Sequence, residues 1–136
     1  MKGILFLCVA NSARSQIAEG VARSMLPPGV RVWSAGSRPT SVRAEAVAVL
    51  REIGVDAAHH RSKAVAEIPG DQVDTVITLC GEEECPLFLG HAERLHWGLP
   101  DPAAVTGSDA ERLEAFRKTR DELRRRLEAL LEGAGR

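Results

Sequence analysis

The chain has no tyrosine, a single asparagine and two glutamines, and its three lysines are outnumbered by fifteen arginines. Nowhere do about 18 apolar residues run together, which excludes a hydrophobic membrane-spanning helix. The N-terminal "MKGILFLCVAN" has only a short apolar run and no small-residue cleavage site, so a soluble, untargeted, cytoplasmic protein with no membrane partner is expected. A formal net charge of -1 at pH 7 lacks the basic excess that a nucleic-acid partner demands. The one basic run, Arg124 to Arg126, belongs to a solvated helix face, because Asp121 and Glu122 precede Arg125 and Arg126 by one helical turn. Scarcity makes what remains more telling. The only asparagine, Asn11, falls inside "FLCVANSARSQIAEG" (Phe6 to Gly20), together with the first of three cysteines.

A length of 136 residues is near the commonest size for one domain, and roughly two-thirds of the unfolded surface can be buried at that size. One domain spanning residues 1–136 is expected, since no linker, repeat or low-complexity segment interrupts it. Strand "KGILFLC" (Lys2 to Cys8) leads into a helix from about Ser15 to Met25, which "PPG" ends at Pro27. A second strand, Val30 to Gly36, precedes a helix from Val42 to Ile53. Ser41 is its expected N-cap, Val42, Ala46, Val49 and Ile53 its apolar face, and Gly54 its stop. The third strand is Asp74 to Cys80 and the fourth Glu93 to Leu99. The last helix opens on a capping box, Ser108 and Glu111, and runs to about Glu132 with Leu113, Phe116, Leu123, Leu127 and Leu130 inward. This alternation predicts an α/β fold, a three-layer domain with a four-stranded parallel sheet flanked by helices. Ligands of such sheets sit at the carboxyl ends of the strands, where Cys8 and Cys80 both lie.

Cys8 stands where strand gives way to helix. The small residues "VANSA" after it let the backbone amides of Val9, Ala10, Asn11, Ser12 and Ala13 curl around a tetrahedral oxyanion, while Arg14 closes the ring with its planar fork. The amides of Arg14 and Ser15 extend that cradle into the helix N-terminus, whose field favours negative charge on the Cys8 sulfur. Asn11 tolerates the left-handed backbone such a curl needs, and its side-chain amide can tie the loop together. Ser15 can give the sulfur a hydrogen bond. A bare C-x5-R match would more often be a buried structural cysteine ahead of a helix. The strand-to-helix junction and the placement of Asn and Ser favour a nucleophile facing an anion.

Five stretches, "CVANSARSQIAEG", "SAGSRP", "TLCGEEECP", "HWGLPDPA" and "FRKTRDEL", together resemble the thioredoxin-coupled arsenate reductases of the low-molecular-weight protein tyrosine phosphatase fold. The resemblance runs almost end to end. It implies arsenate as substrate, phosphate as its analogue, no cofactor, a monomer, and weak phosphatase activity as a side reaction. It also implies that Asp101 of the "DP" loop protonates a leaving oxygen, although "LPDP" alone would be ordinary turn chemistry. The implied relay has Cys8 attack arsenate, Cys80 attack Cys8 with release of arsenite, and Cys85 attack Cys80, leaving a Cys80 to Cys85 disulfide for thioredoxin. On residues alone, a close cysteine pair in a cytoplasmic protein is more often redox-active than structural. The acidic run Glu82 to Glu84 disfavours the ionised thiols until their partners approach.

The nearest alternative is a low-molecular-weight tyrosine phosphatase using Cys8, Arg14 and Asp101, but that branch lines its acid loop with aromatics and this chain has "DPAAVTG". A zinc module built on Cys80, Cys85, His91 and His96 misses the usual short-long-short ligand spacing, so no metal is expected there. A non-enzymatic anion or redox sensor would use the same cradle. His59 and His60 are expected at the surface of a polar loop. Two departures from the family pattern stand out: Ala13 replaces a frequent cysteine, and Cys80 and Cys85 are closely spaced. Some arsenate reductases that this chain resembles at Asn11, Glu19 and Ser34 carry an Asp where it has Ser62 and Lys63, and bind a potassium ion that steadies the cradle. Lysine there removes an anion and adds a cation, which expels a monovalent ion. The Lys63 ammonium is then expected near Glu19 and the Asn11 region, the alternative being an exposed lysine.

Overall fold

The computed structural model describes residues 1–81, 88 and 90–134. Strand β1 (Gly3–Cys8) is buried along its whole length, as an unbroken apolar run at the centre of a parallel sheet requires. It pairs in parallel with β2 (Arg31–Gly36) and with β3 (Thr75–Thr78). Strand β4 (Glu93–His96) adds to β3, giving the order β2-β1-β3-β4. Register places Cys8 beside Gly36.

Side chains alternate across the sheet. Ile4 and Phe6 join a core with Ile17, Ala18 and Val21 of helix α1 (Arg14–Met25), Ala46, Val49 and Leu50 of α2 (Ala44–Arg51), and Phe116, Leu123 and Leu127 of α3 (Asp109–Ala134). Burying each of the larger of these contributes about 1.5–3 kcal/mol. Leu5, Leu7 and Val76 face the other way and are covered by Ile68, Val73 and Phe88. Ile68 and Val73 directly follow the 3-10 turns Val65–Glu67 and Gly70–Gln72. The stretch "FRKTRDEL" near the end of the chain has a packing role here. Phe116 is fully buried, and Arg120 Nη1 donates to the Val49 carbonyl (2.9 Å) and to Glu52 Oε1 (2.7 Å), tying α3 to α2.

Several boundaries differ from the pattern in the sequence, for identifiable reasons. Helix α2 begins at Ala44, and Ser41 is not its cap; Arg43 takes that position without a side-chain cap bond. The preceding residues stay non-helical because their N–H groups go elsewhere: Arg38, Thr40 and Arg43 donate to the carbonyls of Val9, Ala10 and Ser12. Gly54 does end the helix region, at φ +81, with its N–H on the Arg51 carbonyl. Strands β3 and β4 are shorter than predicted, since pairing beyond Thr78 and His96 becomes irregular, Trp97 bonding Thr78 and Leu99 bonding Leu79. The capping box of α3 forms in both directions between Ser108 and Glu111.

Candidate active site

The loop from Val9 to Ala13 has every carbonyl engaged on its outer side. Val9, Ala10 and Ser12 accept from Arg38, Thr40 and Arg43 (2.9–3.1 Å), and Ala13 from Ile17 (2.9 Å). The Asn11 carbonyl accepts from Ser62 Oγ (2.7 Å) and Gln16 Nε2 (3.2 Å). A trans peptide points its carbonyl and the following N–H in opposite directions. The N–H groups of Ala10 to Arg14 therefore turn inward. On that side Val9, Ala10, Ser12, Ala13 and Arg14 line, with Asp101, a cavity of about 250 Å³. Backbone N–H groups with a guanidinium beside them can cradle an anion, and Asp101 sets a carboxyl on the same cavity.

Arg14 is buried, and its Nη1 donates to the Leu99 carbonyl at 3.0 Å. That bond ties the cradle to the segment leading to Asp101. Asp101 takes the turn role, for its Oδ1 accepts from Ala103 N–H at 3.0 Å and caps the 3-10 turn Pro102–Ala104, and the residue also lines the cavity.

Behind the cradle lies a buried polar network. Cys8 is a free thiol whose Sγ lies 2.8 Å from Ser15 Oγ. Asn11 adopts φ 48, the left-handed conformation expected of it, and its Nδ2 donates to Ser15 Oγ at 2.7 Å. The Lys63 backbone N–H donates to Asn11 Oδ1 at 2.8 Å. Ser34 Oγ donates to Glu19 Oε1 at 2.7 Å, and Lys63 Nζ lies 3.4 Å from the same oxygen and 2.9 Å from the Arg61 carbonyl. With an ammonium against Glu19, these residues do not fit a bound potassium ion.

Cys80 follows β3, next in the sheet to the strand that Cys8 closes; it is buried and disulfide-bonded. Cys85 and Glu82 to Glu84 lie outside the described residues. Of the candidate zinc ligands, His91 precedes β4 and His96 is its last residue, with His96 Nδ1 2.6 Å from Thr78 Oγ1. A larger open cleft of about 600 Å³ lies among Lys2, Arg31, Asp74 and His91, at the amino ends of the strands. Neither Cys8 nor Arg14 lines it, so size does not mark the chemistry here.

The model of the low molecular weight phosphotyrosine protein phosphatase family matches residues 3–136. The chain belongs to this family. Within it, the similarity is to arsenate reductases. One from Halalkalibacterium halodurans is 39% identical over 133 residues, covering 96% of each chain. A solved structure, an arsenate reductase in the phosphate binding state, superposes with a TM-score of 0.80 at 33% identity and 98% coverage of both chains. A thioredoxin-dependent arsenate reductase from Corynebacterium glutamicum matches at 27% identity and a TM-score of 0.68, over 98% of this chain and 63% of that one.

Two residues of the buried network behind the loop escaped the sequence reading. His60 is not a surface residue: its side chain is 2% exposed, with Nδ1 3.2 Å from Gln16 Oε1, whereas His59 is exposed as expected. Gln16, fully buried, bridges His60 to Asn11. One signal was available, since Gln16 is one of only two glutamines in an amide-poor chain.

Proposed function

We propose that this protein reduces arsenate to arsenite through Cys8, Cys80 and Cys85, and that thioredoxin restores its thiols. The observation that carries this reading is the bonding of all five carbonyls from Val9 to Ala13 away from the cavity that this loop lines with Arg14 and Asp101, at the end of the strand that Cys8 closes. In the first step Cys8 sulfur bonds to arsenic, and Asp101 protonates the oxygen that leaves. The amides and Arg14 hold the remaining oxygens. Cys80 thiolate then attacks the Cys8 sulfur, the S–As bond breaks, and its electron pair goes to arsenic, which leaves as arsenite. Two thiols become one disulfide as As(V) becomes As(III). Cys85 attacks Cys80, freeing Cys8, and a dithiol reductant reduces the resulting Cys80 to Cys85 disulfide. A free Cys8 and a disulfide-bonded Cys80 are the thiol states in which these steps would leave the protein before reduction.

Asn11, Ser15, Glu19, Ser34 and Lys63 hold the cradle in shape, and the enzyme works as a cytoplasmic monomer, where reducing systems keep thiols available. Hydrolysis of phosphate esters is a weak side reaction of Cys8, Arg14 and Asp101. The decisive experiment is arsenate turnover coupled to thioredoxin, glutaredoxin or glutathione, with Cys80→Ser alongside. Thioredoxin should support turnover best, and Cys80→Ser should stop it while leaving aryl phosphate hydrolysis within about threefold. If both activities fall together, Cys80 is a packing residue and the relay is wrong.

A further inference from the structure

Two arginines on the outer wall of the cradle have no part in the steps above. The segment from Gly36 to Arg43 backs the loop, and its N–H groups hold loop carbonyls: Arg38 that of Val9 and Arg43 that of Ser12, each at 2.9 Å, with Thr40 on Ala10 between them at 3.1 Å. The backbone at both arginines is therefore fixed one hydrogen bond behind the loop, about 10 Å from the middle of the cavity when bond lengths are laid end to end. Both residues are exposed, and neither makes an ion pair among the described residues. Glu45, the carboxylate that follows them on α2, is already taken by Arg112 at 3.1 Å. The stretches that line or back the cavity, 9–14, 36–43 and 99–104, hold three arginines, Arg14, Arg38 and Arg43, against one carboxylate, Asp101. A chain of net charge -1 thus gathers positive charge around one cavity. Such a concentration raises the local level of anions and speeds their capture.

We propose that Arg38 and Arg43 form a capture rim, a pair of uncommitted positive charges that draws arsenate to the cradle through the field alone and has no hold on arsenite. This deepens the reading of the cavity as an arsenate site and rests on it. Near neutral pH arsenate is a mono- to dianion, whereas arsenite leaves as the uncharged acid. The same two charges therefore favour entry of substrate without retaining product. Phosphate carries the charge of arsenate and is drawn in equally, so the rim selects by charge and leaves shape to the cradle. Arg14 differs in kind, since it is buried and its Nη1 is held on the Leu99 carbonyl. One positive charge about 10 Å from a dianion in water raises its local concentration about two- to threefold at an ionic strength of about 10 mM, and screening removes most of that gain at about 300 mM.

The test follows kcat/KM for arsenate against sodium chloride concentration. Arg38→Gln combined with Arg43→Gln should lie about five- to tenfold below the parent at about 10 mM ionic strength, come within about twofold of it at about 300 mM, and keep kcat within about twofold throughout. Arg38→Lys combined with Arg43→Lys should restore the parental profile, because the rim needs charge and not a planar fork. Arg124→Gln removes an equally exposed arginine that lies about 20 Å along α3 from its first residue, and it should leave the profile unmoved. A gap that persists undiminished at about 300 mM overturns the proposal, as does a lysine pair that behaves like the glutamine pair or an equal effect of Arg124→Gln. Phosphate affinity, measured by calorimetry on the same variants, reads the rim without turnover and should weaken by the same factors at low salt. If phosphate binds but arsenate is not reduced, the relay has failed and phosphate affinity still decides this point. Equal phosphate affinity of the parent and the glutamine pair at about 10 mM refutes the rim whatever the relay does.

Discussion

The Lys63 ammonium sits against the buried Glu19 carboxylate, Nζ to Oε1 3.4 Å, with Arg23 Nε 3.4 Å from the other oxygen. A carboxylate with that much local positive charge has no use for a further cation. Both partners are largely buried, at 13% and 5% side-chain exposure, so the pair is poorly screened by salt.

Arsenate kinetics of the unmodified protein should therefore be the same in potassium and in sodium at matched ionic strength, within about twofold. Lys63→Asp exchanges a cation for an anion and should gain specific activation by potassium. Lys63→Ala leaves Glu19 to Arg23 and Ser34 and should cost on the order of 1–3 kcal/mol of stability, measured by urea unfolding. Specific potassium activation of the unmodified protein would refute this assignment of Lys63.

Cys8→Ser should abolish both arsenate reduction and aryl phosphate hydrolysis, because one thiolate makes both attacks. Arg14→Lys should lower both by about a hundredfold or more, since a point ammonium cannot reproduce the planar fork that closes the cradle. Steady-state rates on the two substrates check this. A mild loss in Arg14→Lys would reduce Arg14 to a helix-start residue held by the Leu99 carbonyl.

Acid should loosen the α2 to α3 contact at Glu52. Hydrogen bonds from Arg117 and Arg120 hold its carboxyl at about 2, against an ordinary 4.5. A depressed folded value stabilises above the unfolded value and is lost as pH falls through the folded one, here between 4.5 and about 2. Urea midpoints of the unmodified protein and of Glu52→Gln should differ near neutral pH and converge across that window. The group is solvent-exposed, so the difference should also shrink in high salt. A gap that persists unchanged at pH 3 would mean the carboxylate charge is not what joins the helices.

What was legible in the sequence was local. The loop from Cys8 to Ser15 is one contiguous stretch, and the left-handed backbone of Asn11 and the Ser15 contact with Cys8 follow from spacing and residue type. The long helices were legible through the 3.6-residue period of positions such as Phe116, Leu123 and Leu127. His60 was not, because its burial depends on the 59–63 segment lying over α1, a contact across 44 residues to Gln16. The start of α2 was misread for a related reason: Ser41 has cap chemistry, but the N–H groups around it are committed to the cradle carbonyls. Lys63 was legible because a charge count at one position does not require knowing the path of the chain.

Gly36 is the cradle's outer support, and its lack of a side chain is a demand of space. A Cβ there would stand 2.3 Å from the Val9 carbonyl oxygen and 2.9 Å from the Asn11 nitrogen. Neither atom can give way cheaply. Val9 O is held by Arg38 N–H at 2.9 Å, and Gly36 is fixed from behind by its own N–H on the Lys63 carbonyl, also 2.9 Å. Gly36→Ala should therefore push the first peptides of the cradle inward, at a cost of about 1–3 kcal/mol in stability. Displacement of the oxyanion site by even a fraction of an ångström should lower arsenate kcat/KM by about a hundredfold. Gly29→Ala is the control, since nothing lies within 4 Å of its added Cβ, and it should stay within about 0.5 kcal/mol of the parent. Urea unfolding and phosphate affinity measured on both variants decide the matter. If Gly36→Ala keeps parental stability and parental affinity for phosphate, the cradle does not depend on that close approach.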